Sequence, residues 1–422
     1  GPVLSQSGYG EHARFVLRSL RNREEDCEIL IVPTGWGETG WLAINNEERS
    51  WMDDRIQACT TFLESGGQPD MSVQVTIPNE WDQIAPINIG VTAGIESNKV
   101  SHVWLEKANL MDKVITISEH SKKGFTDTKY TGEHKETRQP MKLECETPVE
   151  IVHYPVKQYN DATDVGLDLE YDFNYLAVAQ WGPRKNLENL VRWFVEENID
   201  QEVGLVLKTS LKNNSIVDRE YAEYKLRGCI PDIPDRKCKI YLLHGDMSEQ
   251  EMHSLYKHPK IKAMVSLTHG EGYGLPLFEA AYSGVPIIAP GWSGHADFLY
   301  APPEPKNTRK NKKKSLKRKP YFAHVDYTLG PVQDFAVWPG VIEKDSMWAY
   351  PTEGSFKMLL RRVRKDYDKW LKRALYLQEW ICKEFESEKL HNRLADVILP
   401  AQASNEEIDL LFDSLISTSG DI

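Results

Sequence analysis

Two open α/β halves, each a parallel sheet with helices on both faces, are what the sequence predicts. Short aliphatic runs alternate with amphipathic stretches along nearly the whole chain, the pattern of strand–helix–strand units. The runs are apolar almost without a break, as strands buried on both faces must be. At 422 residues the chain is too long for one ordinary core, so two domains are expected.

In the first half the strand candidates are CEILIVP (27–33), MSVQVTI (71–77), INIGVTA (87–93), DKVITIS (112–118) and VEIVHYPV (149–156). Helical patterns fall at 10–20 and 47–64. The second half repeats the style with NYLAVAQWG (174–182), VGLVLKT (203–209), CKIYLLHG (238–245), KAMVSLT (262–268) and VPIIAP (285–290). The polar stretch 156–172 reads as a linker. This gives two Rossmann-like domains, 1–160 and 165–385, and a helical close over 355–385 and 389–417. In such sheets ligands bind outside the carboxyl ends of the strands, so the loops after strands are where chemistry is sought.

Composition narrows the class. The chain carries a net charge of −12, which argues against a general nucleic-acid binder. Yet nine of the fourteen residues from Lys306 to Lys319 are Lys or Arg and none is acidic. Such a run repels itself and reads as a flexible loop that contacts an anion or nothing. Six cysteines lack a CxxC pair or metal-ligand spacing, as idle thiols in a reducing cytoplasm would. No apolar run approaches the roughly 18 residues of a membrane span. Gly1-Pro2 has the look of a protease-cleavage scar.

Four loops stand out. Gly8 and Gly10 precede the first helix, where a bare turn or an anion at the free N–H groups would each use glycine. Arg184 and Lys185 open a helix, either as a solvated pair or as a diphosphate site. Ser248 and Glu251 form a capping box, while Gly245 to Met247 before them are free to face a ligand. In GEGYGLPLFEAAYSGVPIIAP (270–290), Pro276 suits a first helical turn and Gly272 and Gly274 let the main chain pass close to a bulky partner. Glu271 then lies in the loop and Glu279 one turn into the helix, both able to accept from sugar hydroxyls.

Together these loops resemble those of the retaining GT-B glycosyltransferases, family 4 in particular. That family's signature is a glutamate, seven residues and a second glutamate, here EGYGLPLFEAAYSGVPII; GPRKNL and SGYGEHARFVLRSL match its phosphate segment and its N-terminal glycine loop. The resemblance implies two Rossmann-like domains facing each other across a cleft, with residues 386–422 returning toward the first. It implies that Arg184 and Lys185 hold the diphosphate of a UDP-sugar and that Glu279 binds the ribose. Glu271, with Gly272, Tyr273, Gly274 and Leu275, would position the sugar, while Gly8, Tyr9, Gly10 and Met247 complete the donor site. Such enzymes need neither a metal nor a cofactor. Where many members carry a cleft histidine, this chain has Glu96, and Glu96, Ser118 and Glu119 are implied on the acceptor side.

The blocks SLTHGEGYGLPLFEA, GWSGHADFL and NIGVTAGIES with SEHSK look like glycosyltransferases of large T-even-like bacteriophages. Some of these glucosylate or arabinosylate hydroxymethylcytosine DNA. That resemblance implies a double-stranded DNA acceptor in the host cytoplasm, with Lys310, Lys312, Lys313, Lys314, Lys317 and Arg318 on its backbone. The alternatives are transfer to a cell-surface or lipid-linked glycan, an epimerase on the same fold, and a non-catalytic sugar-nucleotide or DNA binder.

Overall fold

The computed structural model describes residues 1–133, 140–159, 162–304 and 317–399. The first half holds four parallel strands side by side in chain order: β1 (Met71–Val75), β2 (Ile87–Val91), β3 (Lys113–Thr116) and β4 (Val149–Ile151). Val75 pairs with Val91 and Val91 with Ile115, so their carboxyl ends are level.

The second half holds six parallel strands: β5 (Asn174–Val178), β6 (Gly204–Lys208), β7 (Lys239–Leu243), β8 (Ile261–Val265), β9 (Ile287–Pro290) and β10 (Ala323–Val325). Their order is β10-β9-β8-β5-β6-β7. The chain runs outward from β5 to β7, then returns to lay β8 on the other side of β5. In sheets of this kind such a reversal is where ligands bind, beside the loops leaving β5 and β8. The central strands are buried but for the half-buried Val178 and Lys262, as their aliphatic sequences require.

The helices are α1 (Gly8–Arg21), α2 (Glu47–Glu64), α3 (His102–Ala108), α4 (Glu119–Asp127), α5 (Leu187–Asn198), α6 (Ile216–Cys229), α7 (Glu249–Lys257), α8 (Leu275–Tyr282), α9 (Ala296–Leu299), α10 (Glu353–Lys365), α11 (Tyr367–Glu384) and α12 (Ser387–Ile398). Several carry side-chain caps: Ser7 on α1, Asn46 on α2, Ser118 on α4 and the Ser248–Glu251 box on α7.

Two readings of the sequence need correction, and one element is an addition. CEILIVP forms no strand, although Ile29 and Ile31 are buried. The Ile31 N–H donates instead to the Arg55 carbonyl, the Val32 carbonyl accepts from the α-amino group of Gly1, and Thr34 just beyond the run donates to the Gly1 carbonyl. The helix expected over 355–385 breaks at Asp366 into α10 and α11. An antiparallel hairpin, Tyr327–Pro331 with Met347–Pro351, was not read at all.

The segment joining that hairpin's strands reaches the first half. Asn79 and Ser101 both donate to the carbonyl of Gly340, at 2.8 and 2.7 Å, and Val341 is buried among Trp81 and Trp104. The helix α12 lies on α1, where Ser19 Oγ meets His391 Nδ1 at 2.9 Å and Arg23 pairs with Asp396. The expected helix beyond residue 399 lies outside the described residues.

Candidate active site

The strand β5 ends at Val178, and a 3-10 turn, Pro183–Lys185, leads into α5. Asn186 closes that turn in the left-handed region (φ 54°), which sets Arg184 and Lys185 at the helix start. The loop leaving β8 brings Glu271 to meet them. Arg184 Nη1 donates to the Gly270 carbonyl at 2.7 Å and to Glu271 Oε2 at 2.8 Å. Lys185 Nζ donates to Glu271 Oε1 at 2.6 Å. A second carboxylate arrives from the loop after β2, with Glu96 Oε1 3.1 Å from Arg184 Nη2.

Burial and neighbouring charge act on Glu271, Arg184 and Lys185 together. Burial alone would raise the Glu271 carboxyl, but Lys185 and Arg184 hold it down to about 2. Burial works against the Arg184 guanidinium, and Glu96 and Glu271 more than compensate, lifting it above its ordinary value. Burial and the adjacent Arg184 push Lys185 below its own. The corner is therefore an ionic quartet assembled from both halves of the chain.

The glycines around Glu271 have separate causes. Gly274 sits at φ 93°, a conformation that a Cβ disfavours. Gly270 and Gly272 are pressed on the first half: a Cβ would lie 1.9 Å from the Glu96 carbonyl oxygen and 2.2 Å from that of Ala93. The bulky neighbour that Gly272 accommodates here is thus the chain's own backbone. Ser118 Oγ, fully buried, donates to the Gly272 carbonyl at 2.7 Å, and Ser293 Oγ accepts from the Glu271 N–H at 2.8 Å. Tyr273 is buried against Tyr154, Phe278 and Phe298.

Glu279 occupies a different corner. It lines a cavity between α1, α8 and α12 together with Glu11, Arg18, Lys157, Leu275 and His391. Tyr256 Oη donates to its Oε2 at 2.9 Å. Burial pushes its carboxyl up to about 7, with Lys157 pulling the other way. Lys157 itself bridges Glu11 and Glu249, at 2.6 Å each.

The glycine loop also serves its own chain. A Cβ on Gly10 would strike the Ser5 carbonyl oxygen at 2.0 Å, whereas Gly8 has open space. Tyr9 Oη meets Thr92 Oγ1 at 2.8 Å, and its ring lies 4.1 Å from that of Trp36. Met247, half-buried, follows β7 in a loop turned by Gly245 at φ 112°.

Other residues singled out from the sequence fall away from the quartet. The Glu119 side chain is exposed and 3.6 Å from Lys123, although its N–H donates to Asp297 Oδ2 at 2.7 Å. Arg318 Nη1 donates to the Asp297 carbonyl at 3.0 Å and its guanidinium lies over Trp380, so the fold occupies it. Lys317 is exposed. Lys310, Lys312, Lys313 and Lys314 lie outside the described residues. Sequence reasoning missed Ser293, Tyr256 and Lys157. Ser293 lies inside the GWSGHADFL block, the one signal that could have found it.

Among the described residues no three His, Cys, Asp or Glu side chains gather as metal ligands, and no helix is long and apolar enough to cross a membrane. No protein-family model and no curated protein matches the chain. Solved structures do. A sucrose-phosphate synthase from Thermosynechococcus elongatus is 12% identical, over 98% of this chain and 94% of that one, with a TM-score of 0.55. HepE from Anabaena, solved with UDP-glucose, is 12% identical over 84% and 89%, with a TM-score of 0.48. At such identities likeness speaks of fold alone. The synthase match spans nearly the whole chain and fits the two parallel sheets and C-terminal helices described above: the fold is GT-B.

Proposed function

We propose that the chain is a retaining, metal-independent glycosyltransferase that moves a sugar from UDP to an acceptor hydroxyl. The observation that carries this reading is the Arg184–Lys185–Glu271 corner. Two cations at a helix start, where the loops leaving β5 and β8 meet at the strand-order reversal, suit a diphosphate. Arg184 and Lys185 hold it and offset the charge that grows on it as the bond to the sugar C1 breaks. Glu271, kept ionised by the same cations, accepts from sugar hydroxyls, and Glu279 meets the ribose. The acceptor oxygen bonds to C1 from the side the diphosphate leaves, and its proton passes to a phosphate oxygen. No side-chain nucleophile is needed. The fold shared with a sucrose-phosphate synthase supports the same reading.

In this reading residues 165–385 are the donor domain, residues 1–160 the acceptor side, and 386–422 a helical segment returning to the latter. The acceptor we propose is the hydroxymethyl group of hydroxymethylcytosine in double-stranded DNA, taking glucose or arabinose, in a host-cell cytoplasm. Its support is the sequence resemblance and the cationic run 306–319. Reaching a base-linked group calls for extruding the nucleotide. The test offers hydroxymethylcytosine DNA, plain DNA and a glycan mixture with several labelled nucleotide sugars. Label on the modified DNA alone is expected; label on glycan alone replaces the acceptor, and no donor turnover at all removes the enzyme reading.

A further inference from the structure

We propose that Glu96 is a positioning residue which the donor displaces from Arg184, so that the acceptor side of the cleft is completed only once the donor is bound. This rests on the nucleotide-sugar reading above. As folded, the quartet balances: Arg184 and Lys185 face Glu271 and Glu96. A sugar-linked diphosphate adds two negative charges to a half-buried corner, so a carboxylate must give way.

Glu271 is the fixed one. Both cations hold it, at 2.6 and 2.8 Å, its N–H is held by Ser293, and its side chain is 10% exposed. Glu96 has a single cation at 3.1 Å and is 28% exposed. Arg184 Nη1 already donates to Gly270 and Glu271, so the Nη2 edge facing Glu96 is the part left for a phosphate. Carboxylate and phosphate compete for one edge of one guanidinium.

What moves is the side chain. The Glu96 carbonyl packs against Gly270, and Gly94 two residues earlier (φ 80°) leaves no room for a Cβ beside Ser121. A carboxylate released there stays on the acceptor-side wall, where it accepts the acceptor's O–H and orients its oxygen. Binding in the order donor then acceptor follows.

Calorimetric titration of the intact protein with UDP tests this. Glu96→Gln and Glu96→Ala are expected to bind UDP about tenfold more tightly than wild type, because a competing charge is gone. In the transfer assay the same variants are expected to show a lower donor KM together with a kcat at least about tenfold lower. A carboxylate that only braces Arg184 would give the opposite sign in the titration. Unchanged or weaker UDP binding in both variants, with their melting temperatures kept, overturns the proposal. Failure of the wild type to bind UDP overturns instead the reading on which it rests.

Discussion

Glu271 and Glu279 stand eight residues apart on one loop and helix, and their surroundings push them in opposite directions. Two cations hold Glu271 down to about 2, while burial lifts Glu279 to about 7. Both are taken largely out of water, so burial alone does not separate them. The difference is what each faces: Glu271 has Arg184 and Lys185 in direct contact, and Glu279 has a tyrosine hydroxyl. One motif thus supplies a carboxyl held down beside Arg184 and Lys185 and another raised to about 7 in the cavity between α1, α8 and α12.

The largest effect expected comes from breaking the first surrounding. Arg184→Ala removes the cation that Glu96 and Glu271 share, and is expected to lower transfer about 100- to 1,000-fold in a steady-state assay. Retained activity would mean that Lys185 alone carries the diphosphate. Next is Gly270→Ala, which leaves every charge in place but sets a methyl against the Glu96 carbonyl. A displacement of the two halves by about 1 Å is expected to cost on the order of 100-fold in kcat. A fully active variant would show that the corner tolerates a gap.

The third prediction separates the two glutamates by pH. A carboxyl raised from 4.5 to about 7 costs nothing below pH 4.5, where folded and unfolded chains both protonate it. The cost grows as pH rises through 4.5 to 7 and is complete above that. Glu279→Gln is therefore expected to stabilise the protein by about 3 kcal/mol at pH 8 and by almost nothing at pH 4. Glu271 has the opposite slope: its contribution is complete above pH 4.5 and is lost as pH falls toward 2. Chemical denaturation of both Gln variants across pH 3 to 8 measures the two slopes, and parallel curves would refute the contrast.

Much of this site was legible because parallel strands advertise themselves. A strand buried on both faces must be apolar throughout, so β5 and β8 could be read from NYLAVAQWG and KAMVSLT, and their loops with them. That Arg184 and Glu271 touch was not legible in that way. It depends on β8 lying beside β5, a strand order fixed by tertiary packing. Glu96 could be located but not paired, since its partner comes from the other half. CEILIVP failed for a related reason: an apolar run becomes a strand only where a ladder partner exists, and its partners are Arg55 and Gly1. Lys157 was hidden in what reads as a linker, where nothing local shows that it bridges Glu11 and Glu249.

The smallest effect tests how firmly the first half grips the Glu271 loop. Ser118 caps α4 and also donates to the Gly272 carbonyl, so its hydroxyl joins the two halves through one oxygen. Ser118→Ala leaves that carbonyl buried without its donor and uncaps the helix, and about 1 to 2 kcal/mol of stability should be lost. Gly274 and Pro276 still set the course of α8, so Glu279 should keep its elevated carboxyl and its pH slope. Glu271 should keep its cations but lose part of its fixed position, which would appear as a fall in kcat with donor KM unchanged. Loss of the Glu279 slope as well would show that the two surroundings are one mechanical unit, and the comparison between them would then be one of charge alone.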